Sequence, residues 1–299
     1  MSDSYIQEIS NKILRDRKIS LFIKRIDQNH KYISGNKQYK LKYNLIQAKK
    51  EGYNSLLTFG GAFSNHIAAT SYVAKQHKLN SIGIIRGEEK KFLNPTLHFS
   101  KSNGMKLYYL SREEYRLKHT QNVINNLHKR FGDFYLMPEG GSNLLAVKGA
   151  YEILDVQDKY DFICCPVGTG GTISGIINKS HINQKVLGFS ALKSSENTIL
   201  FDIKNWVNGK NNWELIMEYH FGGYAKINQK LIDFVCNFYN QYNIPLDIIY
   251  NAKMFFGILD LVQKDYFPNN VTILAIHTGG LQGNIGMNKR FDLNLPIIL

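Results

Sequence analysis

The chain has 299 residues, 43% of them hydrophobic and 12% aromatic, which is enough to bury a large core in one elaborate domain or two of ordinary size. Its net charge of +13, from 37 Lys and Arg against 24 Asp and Glu, is dispersed, with no basic helix interleaved with aromatics and no zinc-finger spacing; a solvated basic surface able to gather anionic small molecules is expected, not a nucleic-acid partner. No apolar run approaches the ~20 residues that span a bilayer, and MSDSYIQEISNKILRDRK is too polar for a secretory signal, so no membrane partner is expected and the expected compartment is the cytoplasm.

Along the chain, apolar β-type runs alternate with amphipathic stretches. The predicted strands are Leu21 to Ile26, Ser55 to Phe59, Ser81 to Arg86, Lys106 to Leu110, Tyr160 to Pro166, Lys185 to Ser190 and Val271 to His277. Such alternation predicts an α/β fold of parallel sheets covered by helices on both faces. Glycine clusters fall where strands should end, at Gly60-Gly61, Gly140-Gly141, Gly168 to Gly171 and Gly279-Gly280, and those carboxyl ends are where open α/β sheets bind ligands. Cys164 and Cys165 stand side by side in an apolar run. With one further cysteine they give neither a disulfide framework nor a metal spacing, so buried thiols and no metal are expected.

Three segments carry chemistry. In KYISGNKQYKLKYNLIQAKK, the densest basic stretch, Lys37 follows Gly-Asn at the junction of a loop and a helix predicted to begin near Gln38; taken alone it reads as a surface lysine. In LLTFGGAFSNHIAATSYVAKQHKL, Ser64, Asn65 and His66 open a helix where side chains and amides can bind a carboxylate, although a simple N-cap explains Ser64 or Asn65 equally well. The strongest signal is DFICCPVGTGGTISGIINK, in which a buried strand runs into Gly168-Thr169-Gly170-Gly171-Thr172 and then a helix. Free amides, two hydroxyls and the positive helix end converge there on a site suited to a phosphate, with a plain structural turn as the alternative. It is not a Walker A loop and lacks the third glycine of a dinucleotide fingerprint. A lysine amine and a phosphate cup are the two anchors that pyridoxal phosphate needs.

Six motifs in order, GNKxxKLKYNL, GGAFSNH, PEGGSN at 138 to 143, GTGGTISG, YNAKMFFGILDLV at 250 to 262 and HTGG at 277 to 280, resemble the fold-type II pyridoxal phosphate enzymes. More narrowly, the chain resembles the D-cysteine desulfhydrase and 1-aminocyclopropane-1-carboxylate (ACC) deaminase family over roughly residues 20 to 285. The resemblance implies two open, twisted, mostly parallel sheets flanked by helices, as in the tryptophan synthase β subunit. It implies a larger cofactor-binding domain from residues 1–42 and 140–299, a smaller inserted domain from 43–139, and a homodimer. Lys37 matches the Schiff-base lysine, Asn65 the partner of the cofactor's 3-hydroxyl, Gly168 to Thr172 the phosphate cup and Thr278 the residue facing the pyridine nitrogen. Ser64, with Asn65 and His66, matches the substrate carboxylate and proton-handling position, and Tyr224 and Tyr250 match two tyrosines of the substrate pocket.

That pattern implies β-elimination from a small amino acid, with Lys37 taking the α proton, provided burial or cationic neighbours lower its pKa. ACC deaminases carry glutamate after the pocket tyrosine, glutamine after Ser-Asn and leucine before the final Gly-Gly, where this chain has Asn251, His66 and Thr278. A neutral hydroxyl does not keep the pyridine nitrogen protonated as a carboxylate does. D-cysteine, giving pyruvate, sulfide and ammonia, is therefore the expected substrate, with ACC or another D- or β-substituted amino acid as alternatives. Tyr39 stands where the family has arginine, and Phe63 where it has glutamine or tyrosine, so a polar contact near the cofactor entrance is expected to be missing or replaced. A cofactor-binding protein without catalysis is disfavoured by the presence of both Tyr224 and Tyr250.

Overall fold

The computed structural model describes residues 5–193 and 196–297. In chain order the elements are β1 (Ile6–Ile9), α1 (Lys12–Asp16), β2 (Ser20–Lys24), α2 (Asn36–Lys50), β3 (Ser55–Gly60), α3 (Asn65–Gln76), β4 (Asn80–Arg86), α4 (Pro95–Ser102), β5 (Lys106–Leu110), α5 (Arg112–Arg116), α6 (Gln121–Phe131) and β6 (Tyr135–Met137). After these come α7 (Leu144–Ala150), β7 (Phe162–Val167), α8 (Gly171–Lys179), β8 (Lys185–Ser190), α9 (Glu196–Trp206), β9 (Trp213–Ile216), α10 (Gln229–Tyr242), α11 (Asn251–Gln263), β10 (Thr272–Ile276) and α12 (Gln282–Phe291).

The strands form two sheets. One has six strands in the order β1-β2-β10-β7-β8-β9, parallel except for β1, which runs antiparallel to β2; the other is wholly parallel in the order β5-β4-β3-β6. Alternation along the strands explains why both faces of the larger sheet are covered. Ile273, Ala275 and Cys164 pack with Leu231 and Val235 of α10 and Ile258 of α11, whereas Leu274, Ile276, Ile163 and Cys165 pack on the other face with Ile173, Ile176 and Ile177 of α8. In the smaller sheet, Leu57, Phe59, Ile82 and Ile84 face Tyr115 and Leu127, and Leu56 faces Ala69 and Val73 of α3.

All seven predicted strands are present, Lys106–Leu110 and Lys185–Ser190 with the predicted ends and the others with ends no more than two residues away. Three more, β1, β6 and β9, were not predicted: each has only three or four residues, and β1 and β9 mix apolar with polar residues. Cys164 and Cys165 are buried free thiols, as expected, while Cys236 is only partly buried. Among the described residues no helix is long and apolar enough to cross a membrane, and no three His, Cys, Asp or Glu side chains cluster as a metal site.

Candidate active site

The carboxyl ends of β3, β6, β7 and β10 carry the four glycine clusters singled out in the sequence. Lys37 enters from α2, which begins at Asn36 and not near Gln38, so the lysine occupies the first helical turn. Gly35 is the N-cap with φ 70°, and a Cβ placed there would fall 2.0 Å from the Thr278 carbonyl oxygen. Only glycine allows α2 to start that close to the loop after β10. The Asn36 amide N–H donates to the same Thr278 oxygen at 3.3 Å.

A hydrogen-bond chain joins the two anchors. Lys37 Nζ donates to Asn36 Oδ1 at 2.8 Å, and Asn36 Nδ2 donates to Thr172 Oγ1 at 2.8 Å. Lys37 is half-buried as a residue, but its amine end is desolvated, and this lowers its pKa to about 8 against the opposing pull of Asp247 and Cys165. The condition for a lysine base near neutral pH is thus met by burial.

Gly170 caps the start of α8, and the amides of Gly171, Thr172 and Ile173 find no backbone acceptor among the described residues, as the first turn of a helix dictates. A second lysine, which the sequence reading missed, faces this turn. Lys40 Nζ donates to Ser142 Oγ at 2.7 Å, Ser142 also hydrogen-bonds Thr169, and a Cβ built on Gly171 would meet Ser142 Oγ at 3.1 Å and Lys40 Nζ at 3.4 Å. Burial, with Lys37 adding, drives the Lys40 pKa well below the ordinary value. The available signal was its spacing: positions 37 and 40 lie on one face of a helix. Part of the basic stretch expected as solvated surface therefore lines the site.

Ser64 is the N-cap of α3, its Oγ accepting from Ile67 N at 3.3 Å. Asn65 sits beside Gly280, whose Cβ would meet Asn65 Nδ2 at 2.8 Å, and Asn65 Oδ1 is buried without a partner. His66 is buried with Nε2 2.8 Å from Thr58 Oγ1. Because that hydroxyl donates to Met137 O at 3.0 Å, the imidazole carries its proton on Nε2 and leaves Nδ1 as an unpartnered acceptor near Gly141. Burial first, then Lys37 and Lys40, push its pKa well down, so His66 is neutral.

Tyr250 closes the site over the loop: a Cβ on Gly168 would touch its ring at 3.0 Å. Tyr224 meets it edge-on, with ring centroids 6.1 Å apart. Tyr224 is 42% exposed as a residue, while its hydroxyl end lies inward among buried groups. Burial raises the pKa of both phenols, that of Tyr250 more, with Tyr224 and Asp247 adding to the effect on Tyr250. Beneath them Asp247 accepts from the amides of Ile249, Tyr250 and Asn251 and from Asn251 Nδ2, which fixes the start of α11. Asn251 is fully engaged, its Oδ1 accepting from Thr278 N at 3.0 Å and Thr278 Oγ1 at 3.4 Å, and its Nδ2 also donating to Gly279 O at 2.8 Å. Asp247 had no motif to mark it in the sequence.

The two substitutions expected to disturb the entrance behave differently. Tyr39 is core: its hydroxyl accepts from Asn29 Nδ2 at 3.0 Å and its carbonyl abuts Gly149. Phe63 packs on α12, where Gly286 leaves it room.

The donor set fits a phosphorylated aldehyde, with a desolvated lysine amine, a helix N-terminus supported by a second lysine, and an orphaned amide oxygen at Asn65. A family model described as pyridoxal-phosphate dependent enzyme matches residues 8–279. The chain belongs to the pyridoxal-phosphate-dependent enzymes. It is 30% identical over 291 residues to a putative 1-aminocyclopropane-1-carboxylate deaminase of Thermotoga maritima, covering 91% of this chain and 92% of that protein. It is also 30% identical over 294 residues to the mitochondrial bifunctional D-cysteine desulfhydrase/1-aminocyclopropane-1-carboxylate deaminase of Arabidopsis thaliana, covering 88% of this chain and 73% of that protein. Among solved structures, an ACC deaminase homologue superposes with a TM-score of 0.84 at 26% identity, covering 97% of this chain and 93% of the other. The fold is that of the fold-type II members of the family, and the chain falls within its ACC deaminase and D-cysteine desulfhydrase group. Lys37 would hold the cofactor's aldehyde, the start of α8 with Lys40 its phosphate, and Asn65 its ring hydroxyl. Bound there, the cofactor supplies an electron sink for charge developing on the substrate's α carbon.

Proposed function

We propose that the enzyme carries out β-elimination and deamination of a small D-amino acid, with D-cysteine and water giving pyruvate, sulfide and ammonia. The observation that carries this reading is the Asn251–Thr278 pair. Asn251 has every donor and acceptor engaged, Thr278 offers only a neutral hydroxyl, and the buried carboxylate of the same segment, Asp247, is committed to the start of α11. A ring nitrogen facing Thr278 is not held protonated as it would be by a carboxylate, which suits loss of an α proton and a β leaving group better than opening of a cyclopropane ring that has no α hydrogen. Both names occur among the relatives, so the choice rests on these residues.

In this reading Lys37, with its pKa lowered to about 8, takes the α proton. Ser64 and the start of α3 hold the substrate carboxylate. The Tyr224–Tyr250 pair, with phenols kept protonated by burial, holds a proton at the departing sulfur. The segments 1–42 and 140–299 act as one unit and 43–139 as a smaller one that closes over the substrate. The enzyme works in the cytoplasm as a homodimer. A turnover panel of D-cysteine, L-cysteine, β-chloro-D-alanine, D-serine and ACC, scored by 2-oxo acid and sulfide release, tests the proposal. Release from D-cysteine supports it, and activity on ACC alone overturns it.

A further inference from the structure

Lys253 lies one helical turn beyond Tyr250 on α11 and is 1% exposed. Among the described residues its amine bonds only main-chain oxygens, Gly223 O at 2.7 Å and Ala191 O at 3.4 Å. Asp247 favours its charge from a distance but makes no bond to it, and burial lowers its pKa to about 8. A methionine of similar length would fill the same space without the cost of burying an amine, so the amine's use has to be sought in the two carbonyls it holds.

Both carbonyls belong to segments that frame the site. Ala191 follows β8, and Gly223 immediately precedes Tyr224 in a turn held otherwise by few bonds: Gly223 N to His220 O at 3.0 Å, Gly222 N to His220 Nδ1 at 2.8 Å and Lys226 N to Gly223 O at 3.1 Å. Gly223 itself has φ 115°, a conformation in which a side chain would be strained and which lets its carbonyl turn toward the helix. The same α11 presents Tyr250 one turn earlier, so a single buried amine ties the turn bearing Tyr224 to the helix bearing its partner.

We propose that Lys253 is a positioning residue: by holding the Gly223 and Ala191 carbonyls it fixes the turn that sets Tyr224 against Tyr250. The inference rests on the proposed role of that tyrosine pair, and the two can fail separately. The test compares Lys253→Met with the parent enzyme, each also in a Tyr224→Phe background, all loaded with pyridoxal phosphate and assayed on D-cysteine. Because the misplacement of a catalytic group by about 1 Å costs about 100-fold in rate, Lys253→Met is expected to lower kcat by about 100-fold with KM and cofactor uptake unchanged. In the Tyr224→Phe background the same change is expected to add little, because both substitutions remove one function.

Unchanged kcat, or an equal loss in both backgrounds, overturns the proposal. Should Lys253→Met not take up the cofactor, Lys253→Leu, which likewise carries no donor, is read by the same criteria. If the parent turns over no amino acid in the panel, it is the proposed function that fails. The tether is then read by hydrogen exchange at residues 221–225, faster in Lys253→Met if the tether holds and unchanged if it does not.

Discussion

Two lysines flank the turn that joins β2 to α2, and the protein treats their amines in opposite ways. Lys24, 1% exposed, reaches Asp155 at 2.6 Å and Asp158 at 2.5 Å. Burial alone would lower its pKa, but the two bonded carboxylates outweigh that and raise it, so the charge is kept. Among the described residues, Lys37 has no bonded carboxylate. Its partner is the neutral Asn36 amide, and burial brings its pKa down to about 8. Desolvation acts on both residues, so the counter-charge decides whether a buried lysine is a structural ion or an available nucleophile and base.

Substitutions should separate these regions. The largest effect is expected from Lys37→Ala, which should cut amino acid turnover by about 10,000-fold while leaving the melting temperature of the cofactor-free protein nearly unchanged. Retained turnover would remove the mechanism. Asp158→Asn breaks a buried pair and is expected to lower unfolding stability by about 3 kcal/mol with activity per folded molecule preserved, as chemical denaturation beside an activity assay would show. Loss of activity without loss of stability would erase the contrast. Lys40→Met, which removes the amine donor facing the start of α8, should weaken cofactor binding by about 2 kcal/mol, seen as a right-shifted titration of the visible absorbance.

The mildest effect is one of pH. Because Lys37 in the folded chain has a value of about 8 and an ordinary lysine 10.5, the unfolded chain binds more protons between those values. The contribution of Lys37 to the stability of the cofactor-free protein should therefore rise with pH across that window. Uptake of pyridoxal phosphate, which requires the neutral amine, should rise through about pH 8. Uptake that rises only near 10.5 would place Lys37 with the charged, structural lysines.

Much of this was legible in the sequence because the signals were local. Apolar runs such as Phe162–Val167 and Thr272–Ile276, buried on both faces, announce central parallel strands, and the glycines after them mark the ligand-binding ends. What escaped was either short or dependent on distant parts of the chain. β1 and β9 are four-residue edge strands, each paired only with the strand next to it in sequence, and neither carries an apolar run. Lys40 looked like one more surface charge because Ser142, which it bonds, is 102 residues distant. Asp247, Asn251 and Thr278 form one unit only when β10 brings its following loop onto α11. Lys253 fell within a motif yet gained meaning only from the carbonyls of Gly223 and Ala191.

Three lysines with lowered pKa values, Lys37, Lys40 and Lys253, lie in or beside the site, and the cofactor's aldehyde is assigned to the first alone. The most direct measurement is to load the protein with pyridoxal phosphate, reduce with borohydride, digest, and locate the phosphopyridoxyl group by mass spectrometry. The label is expected on Lys37. A label on Lys40 or Lys253, or on none of the three, would contradict that assignment.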